Sequence, residues 1–300
     1  NGLCFIDWIG SDAYAEQTMD FPVFDGKESM IDLEISSVRL RLICKPDSIY
    51  PMMMERYHHY LREGSPDFTV KITWRLAEAG ENYAVNTIEK IDGHFKQGVY
   101  LLLSSLCEGR IDPEGRDAVL NLASNNPLLD VDYFLRIVLS FGLFRKGGYL
   151  FHSAGVIREN MAFVFFGKSG SGKSTVAQYS KTFPLLSDDL VGVLPGQDSV
   201  MIYSTPFWNP GWERQAKVQA PAAGMYRLVK SERISISPMK KSQAVSEIIS
   251  SIPVIPLSNE YCAELLPIVQ RSIAMIRVHY LYFKKDSSFW QLLIPQEGEG

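Results

Sequence analysis

Residues 162–180 read AFVFFGKSGSGKSTVAQYS, an apolar run followed by a glycine-rich turn and a segment that can be helical. The five consecutive apolar residues 162–166 predict a buried strand, and residues 175–180 can continue the turn as a helix. Between them, residues 167–174 match the pattern G-x-x-x-x-G-K-[ST]. A strand, this loop and a helix in that order predict a loop that holds the phosphates of a nucleoside triphosphate.

The residue types in this loop suit phosphate chemistry. Its glycines let backbone N–H groups close around phosphate oxygens with no Cβ in the way. We expect Lys173 to reach the β and γ phosphates and the Ser174 hydroxyl to bind Mg²⁺. ATP with Mg²⁺ is the predicted cofactor pair, and GTP stays open because no base-reading element is recognisable. The predicted nucleotide-binding residues are Gly167, Lys168, Ser169, Gly170, Ser171, Gly172, Lys173, Ser174 and Thr175.

A second polar element follows the loop closely. Residues 185–187 read as a short strand, and Asp188 and Asp189 end it. Carboxylates at the end of a strand are what a nucleotide-bound Mg²⁺ needs as its second protein anchor. Asp188 comes 14 residues after Ser174, which leaves room for one short helix. Most loop NTPases of the GTPase or motor type place a longer helix and at least one strand in this interval, so the spacing is unusual.

The composition limits the classes of partner. The chain has 300 residues, 46% hydrophobic and 21% charged, which is typical of a soluble globular protein with one large domain or two ordinary ones. A net charge of -4 gives no support for a nucleic-acid or acidic-membrane partner. The most apolar long stretch, residues 128–144, contains Asp130, Asp132 and Arg136, so we expect no membrane span. Four widely separated cysteines and no visible secretory signal predict a cytoplasmic protein with reduced thiols.

We predict two domains. Residues 1–126 read as a smaller β-rich domain, and residues 127–300 as an α/β nucleotide-binding domain with a mixed sheet. Alternating apolar and polar residues predict strands at 31–44, 68–74, 99–106 and 117–122, with a bulge at 36–37, turns at 108–110 and 112–115, and a short helix within 50–63.

A long helix is predicted from Pro127 to the Gly147-Gly148 pair. Asn126 can cap this helix, Pro127 fits its first position, and Gly147 provides a left-handed stop. Because the helix is apolar nearly all round, we expect it to be buried between the two halves of the chain.

Residues 152–189 resemble the catalytic domain of HPr kinase/phosphorylase, whose nucleotide fold is similar to that of phosphoenolpyruvate carboxykinase. The family has a histidine 15 residues ahead of the first glycine of its loop, and His152 and Gly167 keep that distance. Its Asp-Asp pair is matched by Asp188 and Asp189. The resemblance implies that Asp188 is the catalytic base, that His152 tunes it, and that Asp189 binds Mg²⁺. The residues themselves leave open which aspartate is base and which is ligand.

The resemblance weakens downstream of the aspartates. The family's signature, a glutamate followed by an arginine- and glycine-rich stretch, has no clean copy. Glu213 lies at about the right distance and is the predicted third metal ligand. The stretch 205–228 instead looks like a looser group of HPr-kinase-related proteins, some of which phosphorylate serine in precursor peptides of peptide-modification cassettes. Because the family's reverse reaction is associated with the missing signature, we expect a one-way kinase.

The predicted function is Mg-ATP-dependent transfer of the γ-phosphoryl group to a serine hydroxyl of a protein or precursor peptide. Asp188, His152 and Lys173 are the predicted catalytic residues. A small-metabolite kinase on the same fold stays open, as does a non-catalytic nucleotide-binding partner in a peptide-modification complex. Trp208 and its neighbours Phe207 and Trp212 could line a peptide groove or pack in a core or lid. A homo-oligomer is compatible with the sequence.

Overall fold

The computed structural model describes residues 27–77, 93–104, 106–209, 217–255 and 258–293. These residues form a mixed α/β fold with two β-sheets and few helices. The N-terminal sheet contains β1 (Ser29–Ile35), β2 (Val38–Lys45), β3 (Phe68–Arg75), β4 (Gly93–Lys96), β5 (Val99–Ser104), β6 (Cys107–Asp112) and β7 (Asp117–Ala123). Its seven strands lie in the order β1-β2-β3-β7-β6-β5-β4, and only the β2–β3 and β3–β7 pairs are parallel.

The first hairpin differs from the single bulged strand predicted for residues 31–44. Strands β1 and β2 are separate and antiparallel, and a two-residue turn at Ser36 and Ser37 joins them. Both turn residues are left-handed, with φ angles of 50° and 68°. Such a turn matches the right-handed twist of the two strands it connects. It also places Leu33 opposite Leu40 in the ladder, so both side chains enter the core.

The turn predicted at residues 108–110 is wrong, because these residues lie within β6. Gly109 pairs with Leu102 on one side and with Leu120 on the other. A Cβ at this glycine would lie 3.0 Å from the Leu102 Cβ and 3.1 Å from the Phe134 ring. The glycine therefore serves close packing inside a strand, whereas the sequence pattern had indicated chain reversal.

The C-terminal sheet has eight strands of mixed direction. They are β8 (Tyr149–Arg158), β9 (Met161–Phe166), β10 (Leu185–Ser187), β11 (Leu190–Pro195), β12 (Val200–Tyr203), β13 (Gln219–Lys230), β14 (Ser235–Pro238) and β15 (Val278–Phe283). The two longest strands change neighbours along their length. Strand β8 pairs with β11 in its first half and with β9 in its second. Strand β13 pairs with β12 and then, in parallel, with β9 and β15.

Five α-helices accompany the sheets in the described residues: α1 (Tyr50–Tyr57), α2 (Pro127–Arg145), α3 (Lys173–Gln178), α4 (Lys241–Ile249) and α5 (Asn259–Met275). Helix α2 contacts β2, β3 and β7 of the N-terminal sheet and β8 and β11 of the C-terminal sheet. Its predicted burial between the two halves is confirmed. One continuous apolar core includes α2 and residues of both sheets, for example Leu33 and Phe151. A continuous core does not mark where one domain ends, so the domain boundary before Pro127 remains a prediction.

The ends of α2 agree only partly with the sequence. Gly147 has a φ of 75°, and its N–H donates to the Phe144 carbonyl, which is the predicted left-handed stop. Asn126 makes no side-chain hydrogen bond to the helix, so the predicted cap is absent. Across the described ranges, no helix is both long enough and apolar enough to cross a membrane.

We expect Gly142→Ala, in the last turn of α2, to lower stability even though alanine is the better helix former. A Cβ at this position would lie 2.5 Å from Cγ1 of Val38 on β2. Overpacking of about 1–3 kcal/mol should exceed the gain in helix propensity of about 1 kcal/mol. Urea denaturation should show a lower midpoint for Gly142→Ala. In a Val38→Ala background, the same change should be neutral or stabilising. An equal loss in both backgrounds would contradict this packing.

Candidate nucleotide-binding and catalytic site

The glycine loop, residues 167–174, follows β9 directly and leads into α3. Gly167, Gly170 and Gly172 have φ angles of 147°, 74° and 112°, which L side chains rarely adopt. A Cβ at Gly172 would lie 2.4 Å from the Phe283 ring at the end of β15, whereas a Cβ at Gly170 would meet no atom within 4 Å. Gly172 is therefore required for packing, and Gly170 faces open space.

Two polar side chains of the glycine loop suit a bound anion. Lys173 is buried, and its Nζ donates to the Gly167 carbonyl at 3.0 Å. Burial lowers the pKa of Lys173, and the nearby charge of Arg227 adds to that effect. The Oγ of Ser171 is buried and has no hydrogen-bond partner among the residues described. Ser174, by contrast, is exposed at the start of α3. These features fit a group that brings negative charge and hydrogen-bond acceptors.

Arg227 lies beside this loop because β13 runs parallel to β9. It pairs with Phe166, the last residue before the glycine loop, and its Nη1 lies 3.3 Å from where a Cβ of Gly167 would stand. Its Nε also forms an ion pair of 3.0 Å with Glu247 on α4. Lys217, another basic residue of the C-terminal half, pairs with Glu34 of the N-terminal sheet.

Strand β8 lies between the two aspartates and the start of the glycine loop, and it places them close to each other. Asp188 and Asp189 lie at a break between β10 and β11, both of which pair with β8. Ser153 of β8 pairs with Phe166 on one side, and its N–H donates to the Asp189 carbonyl on the other. One residue of β8 therefore separates the start of the loop from the aspartate pair. Ser187 supports the break, since its Oγ accepts from the N–H groups of residues 189 and 190.

Asp188 is buried, and among the described residues Asn209 is the neighbour that hydrogen-bonds to its side chain. The side chain of Asp188 accepts two hydrogen bonds, from the Asn209 backbone N–H at 3.1 Å and from the Asn209 side-chain amide at 2.8 Å. Burial raises the pKa of Asp188 above its usual value, and the hydrogen bonds from Asn209 only partly offset this rise. The negative charge of Asp189 raises it further. Asp188 is thus an oriented carboxylate with increased affinity for a proton.

Asp189 has the opposite surroundings. His152 Nε2 lies 3.2 Å from one carboxylate oxygen, and Arg136 Nη1 on α2 lies 3.1 Å from the other. Burial acts to raise the pKa of Asp189, but the hydrogen bond from His152 and the charge of Arg136 outweigh it. The charge of Lys173 acts in the same direction, so the pKa of Asp189 is lowered. Asp189 is therefore a stable anion close to the loop lysine.

The position of His152 differs from what the family resemblance implies. The resemblance has the histidine tune the first aspartate, Asp188, but in the structure its ring contacts the second, Asp189. The register explains this contact, since His152 pairs with Leu190, the residue after Asp189. The catalytic roles of His152, Asp188 and Asp189 remain predictions.

Two other sequence expectations concern the segment that follows β12. Phe207 and Trp208 are buried, and the Trp208 indole donates to the Thr205 carbonyl at 2.7 Å. They pack in the core and do not line a groove. Glu213 and Trp212 lie outside the described residues, so the third metal ligand stays a prediction. Within the described ranges, no group of three or more histidine, cysteine or acidic side chains could hold a metal by itself.

Two residues of this site were not recognised in the sequence. Arg136 sits in the middle of an apolar helix, and a charge in such a stretch is itself a signal of a buried partner. Asn209 gives no such signal, because asparagine is common in loops and its contact with Asp188 spans 21 residues.

Comparison with known proteins does not assign the chain to a family. No protein-family model matches it, and neither does any curated protein. Among solved structures, the Hpr(Ser) kinase/phosphatase from Coxiella burnetii is similar with 11% identity and a TM-score of 0.25, covering 48% of this chain and 91% of that one. A TM-score this low carries no weight, so the case for function rests on the residues of this chain.

We expect Gly170→Ala to separate ligand binding from folding. Alanine in the left-handed conformation costs about 1–2 kcal/mol, and no neighbouring atom obstructs the methyl group. Urea denaturation should therefore show a folded protein with a small loss of stability. Calorimetry with Mg-ATP should show affinity reduced by at least about tenfold, because the strained residue turns its amide away from the phosphates. Gly172→Ala is the comparison, and it should lose both stability and binding. Unchanged affinity in Gly170→Ala would mark the loop as an ordinary turn.

Proposed function

We propose that this chain is a Mg-ATP-dependent kinase that transfers the γ-phosphoryl group to a serine hydroxyl of a protein or peptide. The observation that carries the proposal is the opposite environment of two adjacent carboxylates beside a phosphate-type loop. Asp188 has a raised pKa and Asp189 a lowered one. Paired carboxyl groups whose environments move their pKa values apart are suited to separate acid–base and charge-binding tasks.

The glycine loop supplies the nucleotide site in this proposal. Its backbone amides and the Lys173 ammonium hold the phosphates, and the buried Ser171 hydroxyl gains a partner there. Ser174 and Asp189 are the proposed protein ligands of Mg²⁺, with Glu213 as the third. When bound, Mg²⁺ neutralises charge on the β- and γ-phosphate oxygens.

Asp188 is the proposed catalytic base. It accepts the proton of the serine hydroxyl as that oxygen bonds to the γ-phosphorus and the bond from the γ-phosphorus to the bridging oxygen of ADP breaks. A raised pKa makes this carboxylate a stronger base. The two hydrogen bonds from Asn209 fix the direction in which the carboxylate points. The neighbouring Asp189 carboxylate keeps its negative charge because His152 and Arg136 contact its two oxygens.

The exposed glycine loop supports a macromolecular acceptor over a small metabolite, although the Asp188 carboxylate near it is buried. Lys168, Ser169, Gly170 and Ser174 of the glycine loop are all exposed, and His152 is 40% exposed. A metabolite kinase usually surrounds its substrate to exclude water. A serine on an extended peptide, in contrast, can approach an exposed loop.

Lys173→Ala tests whether the loop is the nucleotide site. Calorimetry with Mg-ATP should show strongly weakened binding, and transfer should be abolished, because the β and γ phosphates lose their main cation. Lys168→Ala is the matched control, since this exposed lysine of the same loop contributes mainly its backbone. Equal affinities in wild type and Lys173→Ala would move the site elsewhere.

The two aspartates should give different kinetic phenotypes. Asp188→Asn should keep Mg-ATP affinity but slow turnover by roughly 10² to 10⁴, because the base is lost while the shape remains. Asp189→Asn should instead raise the Mg²⁺ concentration needed for half-maximal activity. Magnesium titrations of both variants distinguish the roles. Exchanged phenotypes would exchange the assignments, and two wild-type phenotypes would remove both residues from the reaction.

Incubation with Mg-ATP and serine-containing peptides should give phosphoserine, detected by mass spectrometry. Matched peptides with alanine in place of serine are the control. Excess inorganic phosphate added to purified phosphopeptide and enzyme should release no unmodified peptide, as expected of a one-way kinase. Phosphoryl transfer only to free metabolites would contradict the peptide acceptor, and nucleotide binding without any transfer would favour the non-catalytic alternative.

A further inference from the structure

The loop whose Asn209 hydrogen-bonds to Asp188 is attached to the N-terminal half of the chain. Residues 204–209 are the described stretch that follows β12, called loop 204–209 below, and they include Asn209, the residue that donates both hydrogen bonds to Asp188. The hydroxyl of Tyr60 donates to Ser204 Oγ at 3.3 Å, and Ser36 Oγ donates to the Ser204 carbonyl at 3.3 Å.

Arg56 of α1 makes the third and shortest of these attachments. Its Nη2 donates to the Pro206 carbonyl at 2.8 Å, three residues before Asn209. The same guanidinium binds both carboxylate oxygens of Asp132 on α2, which also accepts from the Tyr57 hydroxyl. The Arg56 and Asp132 side chains are only 10% and 6% exposed. A planar guanidinium held at two points is fixed in direction, so its remaining N–H presents a fixed position to the loop.

We propose that Arg56 is a positioning residue for the reaction, acting through loop 204–209 on the Asn209–Asp188 pair. This inference rests on the proposed function and assigns a role to the β-rich N-terminal region. The contacts form one continuous path from Arg56 to the Pro206 carbonyl, along the loop to Asn209, and from its two donors to the carboxylate. A displacement of about 1 Å at a catalytic group can reduce the rate by about a hundredfold.

The contacts that lead from Arg56 to Asp188 do not include the glycine loop. A positioning role of Arg56 can therefore be distinguished from a general contribution to stability. Among the described residues, the side-chain hydrogen bonds of Arg56 are with Asp132, Tyr57 and the Pro206 carbonyl, and none is with residues 167–174. Loss of its function should therefore change turnover and leave the affinity for Mg-ATP as it was. A purely structural role would reduce stability and change both quantities together, or neither.

The experiment compares Arg56→Lys with Arg41→Lys. Lysine keeps the charge beside Asp132 but cannot hold both carboxylate oxygens and the carbonyl in one plane. Arg41 matches it in contacts, since it binds both oxygens of Asp32 and one backbone carbonyl, that of Gly64, away from the loop, although its side chain is more exposed. We expect Arg56→Lys to lower kcat roughly 10- to 100-fold with the Mg-ATP Kd within about twofold of wild type. Arg41→Lys should leave both unchanged.

A double-mutant cycle with Asn209→Ala tests the path itself. If Arg56 acts through Asn209, the double variant should lose no more turnover than Asn209→Ala alone. Losses in kcat that multiply would overturn the proposal, as would an unchanged kcat in Arg56→Lys. If Arg56→Lys does not fold, Tyr60→Phe removes the hydrogen bond from Tyr60 to Ser204 of the same loop. An unchanged kcat in that variant would then overturn the role of the N-terminal attachments.

Hydrogen exchange distinguishes failure of this inference from failure of the proposed function. Exchange at the amides of residues 204–209 other than Pro206, which has no N–H, should be about tenfold faster in Arg56→Lys than in wild type or Arg41→Lys, whatever the chain catalyses. Faster exchange with unchanged kcat would sink the positioning role and leave the kinase in place. Wild-type protein that transfers no phosphoryl group would remove the proposed function, and unchanged exchange would then remove the structural path as well.

Discussion

Helix α2 lies between two sheets with Asp132 and Arg136 one turn apart, and neither charge can remain unpaired in that environment. An isolated buried charge is so unfavourable that each must meet an opposite charge from a neighbouring element. Asp132 binds Arg56 of α1, and Arg136 binds Asp189 between β10 and β11. These two ion pairs of α2 therefore determine where the N-terminal half and the candidate catalytic site meet.

This arrangement has a consequence for Asp189. Its carboxylate already faces Arg136 and His152, and carboxylate oxygens have further lone pairs for a metal ion. Removing one partner of such a pair leaves the other charge buried, so substitutions at Asp189 act on stability as well as on metal binding. In the described part of the chain, the side chain of Asp188 is held by neutral donors of Asn209, so Asp188 is the easier of the two aspartates to test for a role in catalysis alone.

Local patterns predicted those features that depend on neighbouring residues. The strand before the glycine loop, the short helix after it and the left-handed end of α2 follow from apolar runs and from glycines that must adopt positive φ. The same rules failed at Ser36–Ser37 and at residues 108–110. A two-residue turn and a slipped strand have the same polar pattern, and a glycine can serve close packing as well as chain reversal.

The sequence by itself determined that a phosphate-type loop follows a buried strand and that two adjacent carboxylates come 14 residues after its last serine. Both are statements about short stretches of chain, where spacing decides which backbone conformations are open. Only the tertiary structure decided that His152 contacts Asp189 and that Asn209 hydrogen-bonds to Asp188. It also decided that Arg56 donates to the Pro206 carbonyl in the loop that contains Asn209. These contacts join residues 21 to 150 positions apart. Their partners are selected by strand register and by the need to pair buried charge, and neither is visible in a local pattern.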